Sequence, residues 1–379
     1  MSDATRRVEL IFFHAGGGHR AAALALKEVL EQHERPWEVT LLDLGELLRP
    51  LDVVRKISGI QLQEAYNGLL KSGWTLGASV LLKGIQRLIR FYHDDEVRLL
   101  EQHWLHTRPA LVVSLVPNFN RACAESVRRV GAAPFITVLT DFADYPPHFW
   151  MEREPQYFVC GTQHAVDQAL ALGHAADRIF LTSGMILGPN FYKPISVSRA
   201  AARERFGLRA ETPTGLVLFG GEGSKAIPKI ARYLEASGLD LQLILVCGRN
   251  ATLERKLRRV DWRLPVHIEG FTREIPALMH VCDFFIGKPG PGSLSEAFAM
   301  GLPAIVELNA WTLPQERFNA EWVRERQLGL VVTSFRHVAG AVDQLLRASA
   351  VYRTNVARIR NRAVFEIPDL LETIIATSS

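Results

Sequence analysis

The segment Gly287-Lys288-Pro289-Gly290-Pro291-Gly292-Ser293-Leu294-Ser295-Glu296-Ala297 has the composition of an anion cradle. It follows an apolar run, and the pattern predicts a helix from Ser293. Glycines let backbone N–H groups approach a ligand, and a helix N-terminus favours negative charge. Such a cradle fits a diphosphate. Glu296, one turn inside the helix, offers a carboxylate to both hydroxyls of a ribose. Downstream, Gln315, Glu316 and Asn319 begin another helix, and each can bond sugar hydroxyls. The combination points to a nucleotide-sugar site; helix capping and surface polarity are the plain alternative.

A second group of residues suits proton transfer. His14-Ala15-Gly16-Gly17-Gly18-His19-Arg20 joins a short apolar run to a helical pattern. The amides of Gly17 and Gly18 can approach an anion or a substrate oxygen. In the first helical turn the dipole keeps His19 neutral, as a general base requires. Asp141, in Leu139-Thr140-Asp141, is a second candidate base or the group that orients His19. Gly16-x-Gly18-x-x-Ala21, with Asp43 ending the next strand, also satisfies the dinucleotide pattern, so an NAD-dependent oxidoreductase is the rival reading. A further loop, Gly220-Gly221-Glu222-Gly223-Ser224, opens the second half of the chain, and Arg249 follows a strand ending at Cys247. Asp-x-Asp occurs nowhere in the sequence, so no metal clamp is expected. Amides, dipoles and Arg249 are left to stabilise a leaving diphosphate.

The elements that must position these groups alternate. Val8–Phe13, Val39–Leu42, Leu111–Leu115, Phe135–Leu139 and Tyr157–Cys160 read as buried strands, with helical spacing between them, as over His19–Gln32. A second series runs through Leu216–Phe219, Leu243–Cys247, Val266–Glu269, Phe284–Gly287, Ala304–Glu307 and Leu330–Thr333. This rhythm predicts an α/β protein with two doubly wound, Rossmann-like domains facing across a cleft, and ligands at the C-terminal ends of the strands. The expected domains are 1–195 for acceptor and membrane, 212–350 for the nucleotide sugar, and 351–379 as a helical tail. That tail, interrupted near Pro368, packs back on the first domain.

Length and composition exclude other classes. The 379 residues are enough for two or three domains, and 48% apolar with 22% charged residues is a globular composition. Net charge is 44 − 40 = +4, too weak to argue for nucleic acid. Cys123, Cys160, Cys247 and Cys282 form no CxxC pair and read as buried thiols in a reducing compartment. The longest stretch free of Asp, Glu, Lys and Arg is the 14 residues Ile179–Tyr192, too short to span a bilayer. Between Arg49 and Arg90, seven basic residues stand against two acidic ones. Lys83, Arg87 and Arg90 share a helix face beside Trp74, Leu81, Leu82, Ile85, Leu88 and Ile89. That suits contact with anionic membrane lipids. The expected location is cytoplasmic, peripheral on the inner face of the cell membrane.

In this order the motifs carry a resemblance: GGGHR at Gly16–Arg20, LTD at Leu139–Asp141, GGEG at Gly220–Gly223, CGRN at Cys247–Asn250, EGF at Glu269–Phe271, KPGPGSLSEA at Lys288–Ala297, GLP at Gly301–Pro303 and the Gln315-Glu316 pair. The chain resembles the monogalactosyldiacylglycerol synthase and processive diacylglycerol glucosyltransferase family, of the glycosyltransferase family 28 type. The resemblance implies a GT-B fold and inverting transfer from a UDP-sugar to diacylglycerol. By position it makes His19 the base, sets Phe271 against uracil and Glu296 on the ribose, and gives diphosphate to Gly290, Gly292 and Ser293. Gln315 and Glu316 would hold the sugar. The first loop departs from the family, having His14-Ala15 where Asp or Ser is common. A UDP-sugar epimerase of similar build is the other alternative; it would need no acceptor.

Overall fold

The computed structural model describes residues 5–14, 17–32, 35–51, 84, 86–87, 89–131, 133–145 and 148–378. The chain divides into two compact units, Met1–Pro189 with Asn361–Ser379, and Asn190–Arg360.

The first unit is built on a six-stranded parallel sheet. Its strands are β1 (Arg6–Phe12), β2 (Trp37–Asp43), β3 (Leu111–Ser114), β4 (Phe135–Val138), β5 (Tyr157–Cys160) and β6 (Ile179–Leu181), in the order β2-β1-β3-β4-β5-β6. Parallel strands covered on both faces are apolar throughout, and β3 and β4 are buried at every position. Helix α1 (Gly18–Gln32) follows β1 and buries Ala22, Ala23, Leu26, Val29 and Leu30. Because β1 connects outward to β2 while β3 lies on its other side, the strand order reverses beside β1. Open α/β sheets leave a crevice at such a point, at the carboxyl ends of the strands.

The second unit repeats the plan. Strands β7 (Thr214–Leu218), β8 (Gln242–Val246), β9 (Val266–Glu269), β10 (Phe284–Gly287), β11 (Ala304–Glu307) and β12 (Gly329–Val332) are ordered β12-β11-β10-β7-β8-β9, all parallel. Here the reversal falls between β7 and β10. A Cβ on Gly287 would stand 2.3 Å from the Leu218 carbonyl oxygen, so the ends of these strands must abut without a side chain between them.

At their other ends the same two strands are tied together by one carboxylate. Asp283, just before β10, accepts from the Thr214 backbone N–H at 2.7 Å. It also pairs with Arg199 (2.8 Å), Arg203 (2.7 Å) and Arg353 (2.6 Å). Arg203 is buried and directs its remaining donors to the Val281 and Ala210 carbonyls.

Several expectations are revised. Residues 193–213, expected to separate the domains, lie within the second unit, anchored by Arg199 and Arg203 on Asp283. The tail is divided: one helix, Ser349–Ala357, falls in the second unit, while the last, Ala363–Ser378, falls in the first. Pro368 lies inside that last helix rather than interrupting it. Its flanking Val364, Ile367 and Leu371 are buried, and their burial outweighs the hydrogen bond a proline removes. The helix after β10 begins at Pro291, not Ser293, because proline is preorganised for the first helical position. β6, a three-residue edge strand, carried no periodicity to announce it. Most of the basic stretch Arg49–Arg90, including Arg55, Lys56, Lys71, Lys83 and Trp74, lies outside the described residues; Arg87 and Arg90 are exposed. Among the described residues no helix is long and apolar enough to cross a membrane, and all four cysteines are buried and free.

Asp283→Ala is expected to destabilise the second unit by about 3–5 kcal/mol, the cost of stranding the buried Arg203. Denaturant unfolding measures it; a loss below about 1 kcal/mol would mean the knot contributes little.

Candidate functional site

In the second unit the loops after β7 and β8 interlock. Gly223 (φ +67) and Gly248 (φ +58) occupy the left-handed region, and a Cβ on either would come within 2.3 Å of a backbone oxygen of the other loop, Cys247 O and Gly221 O respectively. The Arg249 N–H donates to Gly221 O at 2.8 Å. This clasp sets Arg249 over the ring of Phe271, 4.1 Å from its centroid, with a guanidinium nitrogen 3.5 Å from Glu222. Phe271 is half exposed despite its size. Four residues expected at the site, Gly220, Gly221, Arg249 and Phe271, are thus organised by neighbouring loops at the carboxyl end of the sheet.

The loop after β10 presents a bare helix end. Helix α2 (Pro291–Ala299) is preceded by Gly290 and has no side-chain cap, so the Gly292 and Ser293 amides are left for another acceptor. A Cβ on Gly292 would meet nothing within 4 Å, and the same holds at Gly220. Glu296 sits part-buried on this helix. Burial pushes its carboxyl up to about 7. Among the described residues none hydrogen bonds to that carboxylate.

Glu316, to which the resemblance gives the sugar, already has a partner within the chain. Its carboxylate is buried and accepts from Lys288 Nζ at 2.7 Å. Asn319 is also turned inward: its amide donates to Pro289 O at 2.8 Å, and its Oδ1 is buried without a partner among the described residues. Both therefore support the Lys288–Gly290 loop from beneath. Gln315 is part-buried beside them, at the start of helix α3 (Pro314–Glu325). Lys288 itself escaped the sequence reading of site residues. Opposite charges on loops from the adjacent strands β10 and β11 were the signal that could have found it.

In the first unit, His19 lies in the first turn of α1, beside the strand reversal. Gly17 takes φ +81 and Gly18 opens the helix; a Cβ on either would meet nothing within 4 Å. His19 Nδ1 is 3.0 Å from Thr140 Oγ1. Burial lowers the imidazole to about 4, opposed by a hydrogen bond to the Leu115 backbone. The ring is therefore neutral at physiological pH. Asp141 is buried, and its Oδ2 accepts from the Trp150 indole N–H at 2.8 Å. The Trp150 ring lies 5.6 Å from that of His19. Thr140 and Trp150 are the site residues sequence reasoning missed here.

Asp43, which a dinucleotide reading needs for a ribose, is otherwise engaged. It caps the next helical turn through Gly45 N at 2.9 Å and pairs with His14 at 3.1 Å. The first unit also holds a cavity of about 330 Å³, lined by Glu96, Asn118, His148 and Glu152 among others; none of the expected site residues lines it.

Residues 216–313 match the glycosyltransferase family 28 C-terminal domain, a span that contains the β7, β8, β9 and β10 loops. The monogalactosyldiacylglycerol synthase of Spinacia oleracea is 28% identical over 98% of this chain and 73% of its own length. Monogalactosyldiacylglycerol synthase 1 of Arabidopsis thaliana is 28% identical over 90% of this chain. The alignment spans 65% of the Arabidopsis protein, so the chain covers about two thirds to three quarters of these relatives. Among solved structures, Acinetobacter baumannii MurG superposes with a TM-score of 0.60 at 14% identity, covering 97% of this chain and 99% of MurG. Its likeness bears on the fold, which is the two-sheet GT-B build. The chain carries a glycosyltransferase family 28 C-terminal domain over residues 216–313 and is similar along almost its whole length to the monogalactosyldiacylglycerol synthases.

Proposed function

We propose that the chain transfers a hexosyl group, galactose in the first place, from a UDP-sugar to the 3-hydroxyl of 1,2-diacylglycerol with inversion. In this reading the acceptor oxygen bonds to the anomeric carbon as the bond from that carbon to the β-phosphate oxygen breaks. His19 takes the hydroxyl proton and UDP leaves with the electron pair. The product is a β-glycosyldiacylglycerol. The observation that carries the donor assignment is Glu296: a part-buried carboxylate without a hydrogen-bond partner among the described residues, on a helix whose first amides are uncapped. Ribose hydroxyls and a diphosphate have complementary chemistry. Phe271 offers a face to uracil, and Gln315 bonds the sugar.

Leaving-group charge is met by the Gly292 and Ser293 amides, the α2 dipole and Arg249. Because the acceptor is a membrane lipid, the chain works at a bilayer surface, and the basic stretch Arg49–Arg90 is the means we assign to holding anionic lipids there. The engagement of Asp43 counts against the oxidoreductase reading. An epimerase would convert the UDP-sugar without diacylglycerol. Incubating the protein with UDP-galactose or UDP-glucose, with and without diacylglycerol vesicles, and resolving the lipid products separates these readings. UDP release that requires the lipid is the expected result, and donor conversion without lipid would overturn it.

His19→Ala is expected to lower turnover about 100-fold or more, the range for losing a general base, while UDP binds almost as before. Retained turnover would remove His19 from the mechanism. UDP affinity should weaken as pH falls through about 7, the position of the Glu296 carboxyl. The ionised form accepts from both ribose hydroxyls, whereas the protonated form must donate at one oxygen. Glu296→Gln should bind UDP about 1.5–3 kcal/mol more weakly at pH 8 and lose most of this pH dependence; calorimetry at pH 6 and 8 reads both. Turnover is expected to survive excess EDTA, and a loss restored by Mg²⁺ or Mn²⁺ would show that a metal shares the diphosphate.

A further inference from the structure

Trp150 is fully buried, and each of its polar groups has a partner. Its backbone N–H donates to Asp144 Oδ1 at 2.6 Å. Its carbonyl accepts from Asn120 Nδ2 at 2.9 Å. Its indole N–H donates to Asp141 Oδ2 at 2.8 Å. Asn120 is itself fixed, accepting from Ser114 Oγ at 2.6 Å and donating to Val116 O at 3.0 Å. One residue earlier, the Phe149 carbonyl accepts from the Asn118 N–H at 2.6 Å, and Asn118 is held at φ +70 to reach it.

A phenylalanine or leucine would fill the same space without requiring the buried carboxylate of Asp141, whose desolvation is costly. An indole tied through its N–H, on a backbone held at two further points, instead gives a ring with one orientation, and that ring lies 5.6 Å from His19 at an interplanar angle of 57°. On another side of the imidazole, Thr140 Oγ1 stands 3.0 Å from Nδ1. Thr140 adjoins Asp141, the acceptor of the indole. Besides the Leu115 backbone, two neighbours of His19 therefore come from the segment 140–150, and Asp141 is the joint between them.

We infer that Trp150 is a positioning residue for His19, and that Asp141 acts through the indole of Trp150 rather than as a base. This rests on the reading of His19 as the base. Asp141 directs its Oδ2 at a donor that must stay protonated, the geometry of an acceptor. Trp150 covers the imidazole, excludes water from it and limits its rotation, and Thr140 fixes the far edge.

The roles separate on Asp141→Asn, Asp141→Leu, Trp150→Phe and Trp150→Ala. Two readouts apply: turnover with donor KM, and the titration of His19 followed by NMR of the imidazole. An amide oxygen still accepts from an indole, so Asp141→Asn should keep turnover within about threefold. A lost base would cost about 100-fold or more. Asp141→Leu and Trp150→Phe should lower kcat about 10-fold or more with donor KM unchanged. In Trp150→Ala, water reaches the ring, and His19 should titrate about one pH unit or more higher than in the parent. Where Trp150→Ala does not fold, Trp150→Phe should move the titration in the same direction by less. Asp141→Asn falling as far as His19→Ala would overturn the inference. An unmoved His19 titration in the folded Trp150 variants would also overturn it, whatever the turnover. Because that titration is independent of catalysis, a failure of the base assignment, seen as turnover retained by His19→Ala, stays distinct from a failure of the brace.

Discussion

The second sheet depends on a carboxylate that is far from the chemistry. Asp283 gathers Arg199, Arg203, Arg353 and the Thr214 N–H at the starting ends of β7 and β10. A strand pair at the point where sheet order reverses has its connections running away on opposite sides, so nothing in the local chain holds its ends together. Fixing one end by charge leaves the other free to end in glycine. There, Gly287 allows β10 to touch Leu218 O, and the loops beyond run on to Gly220 and Gly290. The stabilising interactions sit at one edge of the sheet, and the open amides sit at the other.

Those amides are a local liability in the unliganded protein. Helix α2 begins with Gly290, Pro291 and Gly292, and no side chain caps it. A serine or aspartate at the cap position would contribute about 1 kcal/mol to the helix and would occupy the amides a ligand needs. Lys288 and Glu316 offset this from below. Their 2.7 Å pair joins the loop of β10 to helix α3, while the Asn319 amide holds Pro289 O. The buried Glu316 carboxylate thus supports the shape of the cradle rather than its lining, even though it is the immediate neighbour of Gln315.

Much of this was legible in the sequence, and the gaps have physical causes. β5, β9, β10 and β11 have the ends that the sequence predicts, because each run is short, begins after a polar residue or a proline, and stops at a glutamate or a glycine. The glycines announced the cradle, since few other residues let amides approach a ligand. Thr140 and Trp150 left no such sign. They reach His19 across more than a hundred positions, through strand order rather than spacing, and a buried tryptophan reads as core in any sequence. The Lys288 contact of Glu316 left no sign for a related reason: a glutamate beside a glutamine reads as a pair of ligands, and only the helix phase sets one of them against a lysine of the neighbouring loop. Pro368 read as a break because the burial of its neighbours is a tertiary fact.

A helix end with the same electrostatic character occurs in each unit. A helix beginning at the carboxyl edge of a parallel sheet carries positive potential at its first turn. At α2 that potential meets glycine and proline, so it is available to an anion. At α1 it meets His19, whose protonated form burial disfavours and a helix N-terminus disfavours as well. In the transfer we assign to the chain, one helix end stabilises the diphosphate as it departs with its electrons. The other keeps the base neutral until a hydroxyl proton is released to it. An imidazolium held in that position is unstable relative to the neutral ring, so the proton it takes is readily passed on. In that transfer the burial that makes His19 a weak base at rest is therefore also what resets it for the next acceptor.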